Sequence, residues 1–93
     1  MNKYEILYIL SSMTDDAAKE VAIEKYQAII NASGGIVENV DKWGTKKLAY
    51  PINYKNEGYY VLMNFQAEPS LIEKLESSMR LSEEVIRFMT VKK

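Results

Sequence analysis

Cysteine and histidine are both absent from this 93-residue chain. Without cysteine there is no structural disulfide, no thiolate metal site and no thiol chemistry. Without histidine the chain lacks the usual neutral-pH base and the commonest nitrogen ligand. Glycine is scarce as well, at four residues. The one pair, Gly34–Gly35, lacks the further glycines and the Gly-Lys-Ser/Thr ending of a phosphate loop, and the dinucleotide fingerprint is missing too. No cofactor is expected. No apolar run approaches the roughly 18 residues of a membrane-spanning helix. The short apolar run at the N-terminus alternates as a strand does and lacks the small-residue cleavage site of a secretory leader. The expectation is a soluble, cytoplasmic protein. Neither sign of charge dominates: 12 basic residues face 13 acidic ones, for a net charge of −1. Taken alone, that balance weakens a nucleic-acid reading, which usually goes with a basic excess.

What is present suits one folded domain spanning residues 1–93. The apolar fraction is 47% and the charged fraction 27%, enough for a core and a solvated surface, and unlike a disordered chain. Charge is polarised along the sequence. Lys42 to Lys55 holds four lysines and no acid, whereas Asp15 to Glu24 holds four acids and one lysine.

The hydrophobic pattern predicts six elements. Residues 3–10 alternate with apolar side chains on both faces, the mark of a central strand. Tyr4, Ile6, Tyr8 and Leu10 share one face; Glu5, Leu7 and Ile9 share the other. A helix is expected over 14–33, capped by Thr14 or Ser12, with Asp15 and Asp16 at the positive end of its dipole. Ala18, Ala22, Tyr26, Ile29 and Ile30 form its buried stripe, and one of the two glycines takes the left-handed position after it. A second strand covers 36–43, with a bulge or bend at Gly44 and a continuation through Ala49. Pro51 has no backbone donor, which places the chain there at an edge or leaving the sheet. Asn53 to Glu57 reads as a polar turn closed by Gly58. A third strand, again apolar on both faces, covers 59–67. Pro69 suits the first turn of a second helix running to about Arg80, and a last strand covers 85–91. The order β-α-β-β-α-β, with right-handed crossovers, predicts an α+β ferredoxin-like fold: a four-stranded antiparallel sheet in order 4-1-3-2 with both helices on one face.

Candidate chemistry is thin. Asp15–Asp16 reads as helix capping and Glu83–Glu84 as a solvated turn; two adjacent acids do not make a metal site. The informative stretch is Trp43 to Lys55, WGTKKLAYPINYK, where lysines interleave with aromatics. Two readings stand. Lys46 and Lys47 meet phosphates while Tyr50, Tyr54 and Trp43 stack on unpaired bases; or the stretch is a solvated lysine hairpin with Trp43 and Tyr50 packed for stability. Lys3 and Arg87, on neighbouring strands, extend a basic surface on the open side of the sheet. Tyr8, Tyr26 and Tyr59 fit core positions, whereas Tyr60 points to the open face beside Leu62. Two further classes compete: a dimeric enzyme or ligand sensor with a polar pocket between open sheet faces, and a pure protein-interaction subunit whose lysines protect an edge strand.

On these residues the sequence resembles the bacterial small-subunit (30S) ribosomal protein six family, over nearly its whole length. The resemblance rests on YEILYIL (Tyr4 to Leu10), WGTKKLAYPI (Trp43 to Ile52), GYYVLMNF (Gly58 to Phe65) and VIRFMTVKK (Val85 to Lys93). It implies a ferredoxin-like fold, no catalysis and no cofactor. It implies binding to the central domain of 16S ribosomal RNA, as a heterodimer with small-subunit ribosomal protein eighteen, in platform assembly. Carried over by position, the RNA-facing residues are Lys3, Tyr4, Lys46, Lys47, Tyr50, Arg87 and Lys92. Tyr60 and Leu62 belong to the partner surface, with the second-strand edge. Tyr4 conflicts with the strand pattern, which puts it on the helix-covered face. The chain departs from the family at Asn2, where a basic residue is common. Lysines stand at 46 and 47 in place of frequent arginines, keeping the charge without the bidentate fork. The tail that some members carry after the last strand is not expected.

Overall fold

Alternation of bulky apolar residues with a period of two builds the strands, and the stripes at three- and four-residue spacing build the helices that cover them. In the computed structural model residues 2–11, 15–52 and 55–93 are described, with the side chains of all but 48–52, 55 and 56. The elements run β1 (Asn2–Ser11), α1 (Asp16–Ala32), β2 (Ile36–Ile52), β3 (Lys55–Ala67), α2 (Pro69–Leu81) and β4 (Val85–Lys92). The strands form one antiparallel sheet in order β2-β3-β1-β4. This is the expected 4-1-3-2 order read from the other edge, and the α+β ferredoxin-like architecture.

Period-two alternation sorts the sheet into two faces. Tyr4, Ile6, Tyr8 and Leu10 of β1 pair in register with Phe65, Met63, Val61 and Tyr59 of β3. These side chains meet Ala22, Ile23, Tyr26 and Ile30 of α1 and Leu71, Leu75 and Met79 of α2 in a single buried cluster. Within it Tyr8 and Tyr26 meet edge to face at 5.5 Å. The Tyr8 hydroxyl has no hydrogen-bond partner among the described residues. Burial, reinforced by Tyr26 and Tyr59, pushes it well above the usual tyrosine range, so it stays neutral.

The helix ends follow from local chemistry. Asp15 is the cap of α1: its Oδ1 accepts the Ala18 N–H at 2.7 Å, satisfying one otherwise orphaned donor. The buried stripe of α1 differs from the predicted one. Ala18 and Ile29 are half-buried, and Lys19 and Ile23 are buried in their place. Lys19 lies down against the sheet with its ammonium 4.9 Å from the Tyr59 ring and 3.7 Å from Asp16, an apolar stem with a satisfied charged tip. After α1, Gly34 takes a positive φ of 87°.

Gly35 then passes close under the sheet. A Cβ there would sit 2.8 Å from the Gln66 carbonyl oxygen and 2.8 Å from Ile30 Cγ2. Backbone on one side and a buried side chain on the other leave no easy relief. Gly35→Ala is expected to destabilise the fold by about 1–3 kcal/mol, the range for overpacked sites. Urea denaturation reads this directly; an unchanged midpoint would mean that the turn from α1 to β2 yields freely.

The largest difference from the sequence reading is the hairpin. β2 continues to Ile52, and β3 already begins at Lys55, inside the predicted polar turn, whose Asn53 and Tyr54 lie outside the described residues. β1 ends its pairing with β3 at Ser11 and Gly58, so the segment beyond Lys46 and Gly58 projects past the sheet as a two-stranded ribbon. Backbone pairing of Lys47 with Glu57 and of Ile52 with Lys55 extends these strands. Pro51 lies in β2, an edge strand, where a missing N–H is tolerated.

Candidate nucleic-acid interface

With both helices packed on one face, the other face of the sheet is left uncovered by the described residues. Its centre is apolar. Leu62 faces Leu7, which faces Met89; Tyr60 faces Ile9, which faces Arg87. Met89 is 59% exposed and Val91, one step along β4, is 51% exposed. Leu7, Ile9, Arg87, Phe88 and Met89 line a shallow depression on this side. Ile9 is buried and Leu7, Tyr60 and Leu62 are half-buried, so the exposed apolar surface is concentrated at Met89 and Val91 beside them.

Cations stand at the two ends of this face. Lys3 lies opposite Gln66 at one end. There the Lys93 N–H donates to the Lys3 carbonyl at 2.9 Å, and the Lys93 ammonium pairs with Glu5 at 3.2 Å. Arg87 lies opposite Ile9 near the other end. Six positions of β1 separate the two, about 20 Å at the ordinary strand rise. Lys3 and Arg87 thus share a face as predicted but do not form one continuous patch.

The aromatic and basic stretch of β2 is likewise divided. Lys42 faces Val61 on the helix side, and its ammonium is held by both oxygens of Glu20 at 2.8 and 2.9 Å. That hydrogen-bonded carboxylate raises the Lys42 pKa. Lys46 lies opposite Gly58, on the open face, and Lys47 lies opposite Glu57, on the other. Both are exposed. Neighbours on a strand point oppositely, so these two lysines stand on opposite faces.

A register shift between Lys42 and Gly44 inserts Trp43 as an extra residue, and Gly44 takes a φ of 87°, a bulge that glycine accommodates without a Cβ clash. Trp43, 41% exposed, lies parallel to Tyr60, with ring centroids 6.4 Å apart and 9° between planes. Its Nε1–H donates to Asp41 Oδ2 at 3.0 Å. The Lys46 ammonium stands 5.0 Å from its ring centre. Sequence reasoning singled out Trp43 but not the pairing with Tyr60, which depends on the bulge.

The remaining predicted residues are placed as follows. Lys92 pairs with Tyr4 and is exposed at the rim on the helix side. The Tyr4 ring is only 7% exposed and stacks on Phe65 at 5.7 Å. The strand pattern, not the rim, describes its position. Its hydroxyl accepts from Asn2 Nδ2 at 3.3 Å. The side chains of Tyr50 and Tyr54 lie outside the described residues. Tyr60 and Leu62 are on the open face, half-buried. Among the described residues no group of three or more Asp or Glu side chains is placed to hold a metal ion, and no helix is long and apolar enough to cross a membrane.

Comparison with known proteins points one way. A protein-family model described as "Ribosomal protein S6" matches residues 3–92. The chain is 53% identical over 91 residues to the small ribosomal subunit protein bS6 of Clostridium novyi, covering 98% of this chain and 96% of that one. It is 48% identical to the protein of the same name from Alkaliphilus metalliredigens, over 99% of this chain and 97% of that one. The crystal structure of 30S ribosomal protein S6 from Thermotoga maritima superposes with a TM-score of 0.94 at 28% identity, covering 99% of this chain and 87% of that chain.

Proposed function

Because the chain belongs to the ribosomal protein S6 family, a family of non-catalytic structural proteins that bind ribosomal RNA, we propose that it binds the central domain of 16S ribosomal RNA together with small-subunit ribosomal protein eighteen and supports platform assembly. Its place is then the small ribosomal subunit in the cytoplasm. The observation that carries this reading is the division of the open face: an apolar centre for a protein, and cations at its ends for phosphates.

The protein partner covers Tyr60, Leu62, Leu7 and Met89 and reaches the β2 edge. RNA is met at two places. Lys3 and Lys92 serve one end, where Tyr4 takes part through the rim of its ring beside Lys92 rather than by stacking a base. Arg87, Lys46 and Lys47 serve the other, with Tyr50 on the projecting ribbon beyond them. Lys42 is left out, since Glu20 holds its charge. The net charge of −1 fits a protein that binds RNA with help: a more basic partner neutralises most of the phosphates, while this domain positions it.

The test is a titration of a 16S central-domain fragment with the lone protein, the partner alone and both together. Tight, site-specific binding is expected only for the pair. Full affinity and specificity from the lone protein would sink the heterodimer reading. Salt dependence then reports how many phosphates are neutralised. Lys46→Ala with Lys47→Ala is expected to lower affinity and to reduce the log–log salt slope by about 0.7–0.9 for each phosphate no longer neutralised. An unchanged slope would remove both lysines from the RNA site.

A further inference from the structure

Trp43 is the chain's only tryptophan, and it joins two surfaces with separate roles. Tyr60 belongs to the proposed partner face, and Lys46 to the proposed phosphate contacts; both touch the same indole. The contact with Lys46 is not a consequence of ordinary strand geometry. Positions 43 and 46 are three apart, and in an uninterrupted strand they would point to opposite faces. The extra residue between Lys42 and Gly44 resets the alternation and brings indole and ammonium to the same side. The ring is fixed in turn by its Nε1–H bond to Asp41 and by the parallel Tyr60.

A lysine ammonium sits on a flexible four-carbon stem and loses rotamer freedom when it binds. Holding it over an indole restricts it beforehand. We infer that Trp43 is a positioning residue: it holds Lys46 where an RNA phosphate is met and, through Tyr60, ties that lysine to the face the partner covers. The inference rests on the reading of Lys46 as a phosphate contact given above. The ring already carries Tyr60 and Lys46, so it acts through them and not by stacking on a base.

The test is a double-mutant cycle on the full chain with its partner and the 16S central-domain fragment. An exposed cation–aromatic contact is worth about two- to fivefold in an equilibrium constant, so Trp43→Ala is expected to weaken RNA binding by that factor. Trp43→Phe keeps an aromatic face and is expected to restore most of it. In the Lys46→Ala background, Trp43→Ala is expected to change affinity by less than about twofold, the scatter of independent sites. In the free protein, Lys46→Ala is expected to shift the emission of the lone tryptophan. Equal losses in both backgrounds would show a merely structural role and overturn the inference, as would Trp43→Phe behaving like Trp43→Ala or an unmoved emission. If Lys46→Ala weakens binding but Trp43→Ala does not, the inference alone fails. If Lys46→Ala leaves affinity and salt slope unchanged, the reading of Lys46 fails with it. Melting curves confirm that each variant is folded, and Trp43→Leu, which keeps apolar bulk but no aromatic face, carries the test should the alanine variant unfold.

Discussion

Phe65→Ala is expected to remove about 3–5 kcal/mol of folding stability, the cost of truncating a fully buried aromatic. Phe65 has no exposed surface and stacks on Tyr4 across the β1–β3 pair. It lies in β3, one of the two central strands, so neighbours on both sides would have to move to fill the space. Small domains have only about 5–15 kcal/mol in total, and a 93-residue chain with no disulfide has few other constraints. Chemical denaturation followed by circular dichroism gives the value. A control is Met89→Ala on the open face, whose effect is expected within about 0.5 kcal/mol. A loss below about 1 kcal/mol for Phe65→Ala would place the principal core elsewhere.

Leu62→Asp is expected to weaken binding of the protein partner by about 30-fold or more, the scale of a central interface residue. Leu62 stands in the middle of the open face, between Leu7 on β1 and Asp41 on β2. An aspartate there brings a charge to the apolar centre and sets it beside another carboxylate. Calorimetric titration of the variant against the partner checks this, with Leu62→Ala as the milder step in the series. The far sheet face packs the core, so the variant is expected to stay folded. Unchanged affinity would move the partner from the open face to the β2 edge.

Much of this was legible in the sequence. The β-α-β-β-α-β order followed from periodicity, and the two strands apolar on both faces were the two central ones. Tyr8 and Tyr59 went to the core side and Tyr60 to the open side because period two decides the faces of a strand, and Tyr26 went to the core through the helical stripe of α1. Three things were hidden, each for a physical reason. Lys19 joined the buried side of α1 because Tyr59 on β3 receives its ammonium, a tertiary fact, and Ile23 packs into the core cluster beside Ala22. The continuation of β2 was expected only through Ala49, and the start of β3 at Lys55 fell in a stretch read as a polar turn, because its residues are polar and show no apolar alternation. The site residues fall at two ends of the sheet rather than in one patch because Lys3 and the Ile9 partner of Arg87 lie six β1 positions apart, and Lys46 and Lys47 fall on opposite faces because neighbours alternate. The Trp43 cluster depended on a one-residue register shift that Gly44 hinted at but did not locate.

The sheet order also has a consequence in time. β1 leaves the synthesising ribosome before any other strand, yet it is central, with β3 on one side and β4 on the other. Tyr4 finds its neighbour in Lys92, almost the full chain away. The β2–β3 hairpin, whose two strands are adjacent in sequence, can zip as soon as it emerges. β1 then gains one neighbour, but its second edge stays unpaired until β4 is made. Such distant pairings are the slow part of folding, and an unpaired edge held open in the meantime is where newly made chains mispair. The eight-residue β4 therefore does more than close the sheet: until it emerges, one edge of the central β1 has no partner strand.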